Sequence, residues 1–366
     1  METVERRYDI DWLRVIAIGL LLVYHIGIGF QPWGVFIGFL QNNESLESLW
    51  PAMSMLNVWR IPLLFFVSGM GVSFAIVKRS WKQLLLERAR RIGLPFVFGI
   101  LVIVPLHLII WQRYYHQDLR YAPHPGHLWF LANILIYVLV WSPLFFYLKK
   151  NGSGKLGRGI RRLFSHPLGM LFIAGCFVTE ALLVRPESYE MYAMTLHGLL
   201  LGLLAFLFGF LVVFSGDGFW NMVVRWRWAL LSLAAVLYIV RLKVFDLQAP
   251  LYYSAAESCA WIFAVFGLAR RYGNHPGPAL KYLGPAAYPV YILHMIYLYL
   301  ASYLFFPMDM SPWLKFILVA VFTFLGCFAS YELIRRVPFL RSLFGLKASI
   351  RRSKKPVWNI MWKPVN

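Results

Sequence analysis

Ten stretches of this sequence run for about 17 to 22 residues with hardly a charge, near residues 12–30, 57–77, 92–111, 128–147, 168–184, 197–214, 228–245, 252–268, 285–305 and 313–334. At 1.5 Å of rise per residue, each falls in the length range that crosses a hydrocarbon layer about 30 Å thick. Lipid offers no partner to backbone N–H and C=O groups, so a spanning segment is either a helix or a strand of a closed barrel. Barrel strands alternate polar and apolar residues, and these runs do not. The expectation is an all-α integral membrane protein with about ten transmembrane helices. Composition agrees: 60% of the 366 residues are apolar and 14% are charged, against about a quarter charged in ordinary soluble domains.

The net charge of +20 would suggest nucleic acid in a soluble chain. Here its distribution argues otherwise. Of the 36 Lys and Arg residues, 28 fall in alternate connections if the N-terminus is inside, and seven (Arg60, Arg113, Arg120, Arg185, Arg241, Lys243, Lys315) fall on the other side. Basic residues collect in cytoplasmic loops, so the pattern predicts an N-in, C-in topology in a plasma (inner) membrane. Residues 1–340 then form the ten-helix transmembrane domain, and 341–366 a basic cytoplasmic tail on the anionic inner leaflet. The run after Arg6 and Arg7 contains Arg14 and His25 and has no A-x-A-like site, so it reads as an uncleaved first span. Trp12, Trp111, Trp129 and Trp313 sit at run ends, where an aromatic belt places them. Cys176, Cys259 and Cys327 lie inside apolar runs as packing residues, and no metal-ligand spacing, P-loop or dinucleotide fingerprint is present.

An ionisable side chain inside a span costs on the order of 2.5–3.5 kcal/mol or more, which makes each one a functional candidate. Arg14 and His25 share the first span. Eleven residues is about three turns, so they occupy one face, about 16 Å apart along the axis. Arg60 opens the second span from an outer loop that carries Glu44 and Glu47, either of which is an available partner; an anionic substrate group is another. Arg88 and Arg91 are i, i+3 neighbours and, with Arg90, form a cationic cluster at the inner side, suited to phosphate. His127 and Glu257 begin spans at the outer side, and a buried Glu257 needs a partner, for which Arg60 or His25 is expected. His294 lies near the middle of its span. Outer histidines and carboxylate opposite an inner arginine cluster suit a donor taken from inside and an acceptor modified outside.

These motifs resemble the membrane-bound acyltransferase-3 family along nearly the whole chain. The resemblance rests on Asp9-Ile10-Asp11-Trp12-Leu13-Arg14 with His25 in R-x10-H spacing, the Pro62-to-Gly69 run, Arg88–Pro95, His127–Leu131 (HLWFL), Tyr288–His294 and Tyr331–Pro338. The HLWFL element and the last one are most similar to the branch that succinylates osmoregulated periplasmic glucans. The resemblance implies transfer of an acyl group, acetyl or succinyl, from cytosolic acyl-CoA to a carbohydrate hydroxyl outside or within the membrane, with acyl-CoA as co-substrate. It implies His25 as catalytic base with Arg14 as motif partner, and Arg88, Arg91 and Arg90 as acyl-CoA contacts. Arg60, His127, Trp129 and His294 are then substrate contacts.

A neutral histidine suits that chemistry, because it takes a hydroxyl proton as the acceptor attacks a thioester. Glu257 is the expected orienting carboxylate. Partners are acyl-CoA, a glycan acceptor, the bilayer and, as an assembly, a homodimer. The rival reading is a glycolipid or sugar transporter or flippase, which would move substrate without consuming acyl-CoA; the absence of a visible internal repeat weighs against it. A membrane sensor would need an output domain, which the runs leave no room for.

Overall fold

The computed structural model describes residues 6–347, all of whose regular elements are helical. Ten helices are long and apolar enough to span a membrane. They are α1 (Tyr8–Ile28), α2 (Trp50–Ile76), α3 (Trp81–Tyr114), α4 (Trp129–Lys150), α5 (Pro167–Val184), α6 (Leu196–Phe214), α7 (Asp217–Lys243), α8 (Leu251–Tyr272), α9 (Pro278–Phe305) and α10 (Pro312–Ile334). The ten apolar runs and the ten spans agree in number and order. Their ends differ where polar residues continue the helix beyond the hydrocarbon. α3 starts at Trp81, not near 92, because Ser80 and Gln83 close a capping box ahead of the basic stretch. The stretch read as a loop from 149 to 162 contains a short helix, Lys155–Phe164, with Phe164 buried and Arg158, Arg161 and Arg162 turned outward.

α2 and α6 form the centre of the bundle, and they touch backbone to backbone. A Cβ on Gly69 would lie 2.0 Å from the Phe206 carbonyl oxygen, and one on Gly209 would lie 2.0 Å from that of Phe66. Without a hydrophobic driving force between helices in lipid, such close approach of small residues supplies the packing. α7 packs on α8, and α9 lies between α1, α3 and α10. Leu171, Leu183, Leu233 and Leu325 face outward, as lipid-facing residues do. Cys259 and Cys327 are buried and Cys176 half-buried, in packing positions.

The connection between α1 and α2 is tied down at the end of the bundle remote from the termini. Buried Lys315 donates to the Phe306 carbonyl (2.8 Å) and to Asn42 Oδ1 (3.3 Å), and Tyr299 donates to the Gly38 carbonyl (2.6 Å). The expected tail behaves differently from a free basic arm over its first residues. Pro338–Leu343 is helical, Phe344 packs edge-on against Phe98, and Arg91 Nε donates to the Gly345 carbonyl. The rest of that tail lies outside the described residues.

Replacing Gly209 by Val forces the α2 and α6 backbones apart, at a cost on the order of 1–3 kcal/mol or more. Thermal unfolding of the detergent-solubilised protein should show a lowered midpoint and reduced monodisperse yield. Gly71→Ala, with nothing within 4 Å of the added Cβ, should behave as wild type.

Candidate active site

α1, α2, α3, α4 and α9 enclose a cavity of about 1690 Å³ that runs from one end of the bundle to the other. That volume exceeds the roughly 300–1,000 Å³ of a usual single-ligand pocket. At the end carrying the termini its wall includes Arg14, Arg79, Arg88, Arg91, Arg341 and Lys347, with Arg6 and Arg7 beside them and Asp11 and Glu87 as counter-charges. At the opposite end it is lined by Trp33, Trp50, Met191 and Met194, with Glu190, Asp246 and Gln248 among them. Trp33 and Trp50 meet edge to face at 5.3 Å between ring centroids.

Histidines occupy the wall between these mouths. His25 Nδ1 lies 2.8 Å from His294 Nε2, and His294 Nδ1 lies 2.6 Å from the carbonyl oxygen of Tyr291, one helical turn earlier. His127 Nε2 lies 3.1 Å from the carbonyl oxygen of Ile292, and the Tyr291 hydroxyl donates back to the His127 carbonyl at 2.6 Å. His107, on α3, sits 5.6 Å from the His127 ring. Among the described residues no three His, Cys, Asp or Glu side chains converge as a metal-binding group. These ring nitrogens face carbonyls and one another.

The hydrogen bonds specify the protons. A carbonyl only accepts, so His294 Nδ1 carries a hydrogen. In a neutral ring His294 Nε2 is then an acceptor, and the 2.8 Å contact requires His25 Nδ1 to donate. His25 Nε2 is left with a free lone pair, and His25 lines the cavity. The alternative, an imidazolium at His294, places an unpaired charge in the interior of the span. Should His25 Nε2 take up a proton, Nδ1–H keeps donating to His294 and no tautomer change is needed.

Arg60 stands beside this pair. It is 2% exposed, its guanidinium lies 3.9 Å over the ring of Tyr24, and it lines the cavity. Its Nε and Nη1 have no hydrogen-bond partner. A desolvated cation–π contact offsets about 2 kcal/mol of the burial, and Arg60 remains a buried cation on the cavity wall.

The profile of the acyltransferase-3 family, described as an acyltransferase domain, matches residues 7–332. The chain belongs to that family. It is a membrane acyltransferase. No curated protein and no solved structure matches it significantly.

Within this acyltransferase, Arg14, His25, Arg60, Arg88, Arg91, His127 and Trp129 line one cavity. Arg14 is bonded to Asp11 and shares with His25 the helix face expected from their spacing. Arg88 and Arg91 flank Glu87, at 3.4 and 3.1 Å. Arg90 is exposed and lies off the cavity wall. A π-helical turn, Ala89–Gly93, contains Arg90 and Arg91. Trp129, expected in an interfacial belt, instead packs edge-on against Phe65 inside the wall.

Two expected partnerships are corrected. Glu257, fully buried, is bound by Arg241 Nε at 2.6 Å and Nη2 at 3.2 Å, not by Arg60 or His25. Arg241 also reaches Glu190 at 3.3 Å and the Ser54 carbonyl at 3.0 Å, so this group clamps α7, α8 and α2 together. The neighbour that orients His25 is His294. Arg60 meets Tyr24 and not Glu44 or Glu47, because its side chain lies along the bundle interior while those carboxylates belong to the connection between α1 and α2. His107 escaped the sequence reading. Its signal was the same as for His294, an ionisable residue inside an apolar run.

Glu257→Gln should therefore act on stability, leaving Arg241 undercompensated at a cost on the order of 3–5 kcal/mol. Thermal inactivation should be faster, while turnover per folded molecule stays within a few-fold of wild type. A hundredfold loss of turnover in the folded fraction would return Glu257 to the chemistry.

Proposed function

We propose that the protein is an acyl-CoA-dependent O-acyltransferase that moves an acetyl or succinyl group to a hydroxyl of a carbohydrate at the far side of, or within, the membrane. The observation that carries this reading is the cavity itself, which joins a basic mouth to the unpaired Nε2 of His25 and continues to an aromatic mouth. The basic mouth suits the phosphates of CoA. It faces the cytoplasm if the Lys and Arg distribution orients the bundle. From the level of Arg14 to that of His25 is about 16 Å, a length the extended pantetheine arm spans. Trp33 and Trp50, with the carboxylates and amide near them, suit a sugar.

In this reading His25 Nε2 accepts the acceptor hydroxyl proton as its oxygen attacks the thioester carbonyl. The tetrahedral intermediate collapses with cleavage of the C–S bond, and the proton passes from His25 to the departing sulfur. The products are the ester and free CoA. His294 holds the His25 ring through the transfer, and its acceptor nitrogen faces the imidazolium that forms. Arg60 meets negative charge near the reacting carbon or on the substrate. Donor and acceptor filling the two mouths would exclude water, which would otherwise hydrolyse the thioester.

The test supplies membranes carrying the protein with labelled acetyl-CoA or succinyl-CoA and a periplasmic glycan extract. Label should enter glycan with wild type and not with His25→Ala, which should insert and bind CoA normally; loss of a general base alone amounts to about 10²–10⁴-fold in rate. His294→Ala should lower kcat and leave the KM for acyl-CoA near wild type. Glycan moved across vesicles with no acyl-CoA consumed would favour a transporter instead.

A further inference from the structure

The donor end of the cavity has more cations than carboxylates, but most of the cations are already paired. Arg6 and Arg14 share Asp11, Arg88 and Arg91 share Glu87, and Arg7 is bonded to Asp9 at 2.6 Å. At this end, three wall cations have no carboxylate partner among the described residues: Arg79, Arg341 and Lys347. Two of these three come from the segment that follows α10, beyond the last residue of the family match.

That segment is built to stay where it is. Helix Pro338–Leu343 ends in Gly345 at φ +68°, a left-handed conformation that a side chain disfavours. A Cβ there would also lie 2.4 Å from the Tyr288 ring and 2.7 Å from the Arg91 carbonyl oxygen. Arg91 Nε donates to the Gly345 carbonyl, so the strap is fastened to the same arginine that the cavity wall presents. Arg341 donates to the carbonyls of Arg335 and Lys347, both 2.7 Å away. These bonds turn Leu346 and Lys347 onto the cavity rim.

Resting on the acyl-CoA reading above, we infer that residues 338–347 form one wall of the donor site, with Arg341 and Lys347 contacting the phosphates of the CoA nucleotide and Gly345 anchoring the strap. Binding a group that carries several phosphates requires uncompensated charge, and the strap supplies it. Arg88 and Arg91 then shape the mouth and hold Glu87, and share the anion with the strap.

The experiment measures CoA binding by calorimetry and acyl-CoA kinetics on the purified full chain in nanodiscs, for wild type, Lys347→Gln and Gly345→Ala. Lys347 makes no side-chain bond among the described residues, so Lys347→Gln tests the contact without breaking one. It should raise Kd for CoA and KM for acyl-CoA about threefold, as for an exposed charge pair, with kcat unchanged and a shallower dependence of Kd on salt. Gly345→Ala should raise both about tenfold or more, and its added Cβ should also lower the thermal midpoint. CoA binding by wild type that neither variant alters would overturn the strap assignment alone. Failure of wild type itself to bind CoA would overturn the donor reading and the strap with it, and the wild-type control separates the two cases.

Discussion

Hydrocarbon supplies no hydrogen-bond partner, and that single constraint organises the molecule. Backbone groups are satisfied within helices, and buried polar side chains must find one another. Arg241 does so with Glu257, Glu190 and a backbone carbonyl, and in doing so joins three helices. Lys315 does so with the Phe306 carbonyl. His294 and His127 solve the same problem with carbonyls of α9, and His25 with the His294 ring. Because those carbonyls only accept, they dictate where each imidazole hydrogen sits and leave a basic nitrogen facing the cavity.

Against that background the groups left unsatisfied stand out. Arg60 keeps two guanidinium nitrogens without partners, and His127 Nδ1 has none. Both residues line the cavity. Part of the bundle's unmet hydrogen-bonding capacity thus borders the surface of this cavity. The bundle also grades that surface, from excess positive charge at the termini end, through neutral histidines, to tryptophans and carboxylates at the other. Each region suits a different part of a two-substrate reaction: an anionic carrier, a proton transfer, and a polar, ring-shaped acceptor.

Much of the polar lining of the cavity was legible in the sequence because lipid makes an intramembrane ionisable residue conspicuous. Arg14, His25, Arg60, Arg88, His127 and His294 were picked out for that reason, and all but His294 lie on the cavity wall itself, with His294 directly behind His25. Their partners were not legible. Nothing in the order of residues says that Glu257 turns to Arg241, sixteen positions earlier on the neighbouring helix, since that depends on how α7 packs against α8. Arg90 and Arg91 look alike in sequence, and only Arg91 reaches the cavity wall. Trp129 has the position of a belt residue and the packing of a core residue.

The sequence by itself determined ten spans and an uneven distribution of charge among their connections, because hydropathy and helix length are local properties. The tertiary structure alone decided that His25 meets His294, that Arg60 is held by an aromatic ring, and that residues after the last span fold back over the basic mouth. Those outcomes rest on contacts between segments as much as 269 positions apart. They follow from close packing and from the pairing of polar atoms, which no local window encodes.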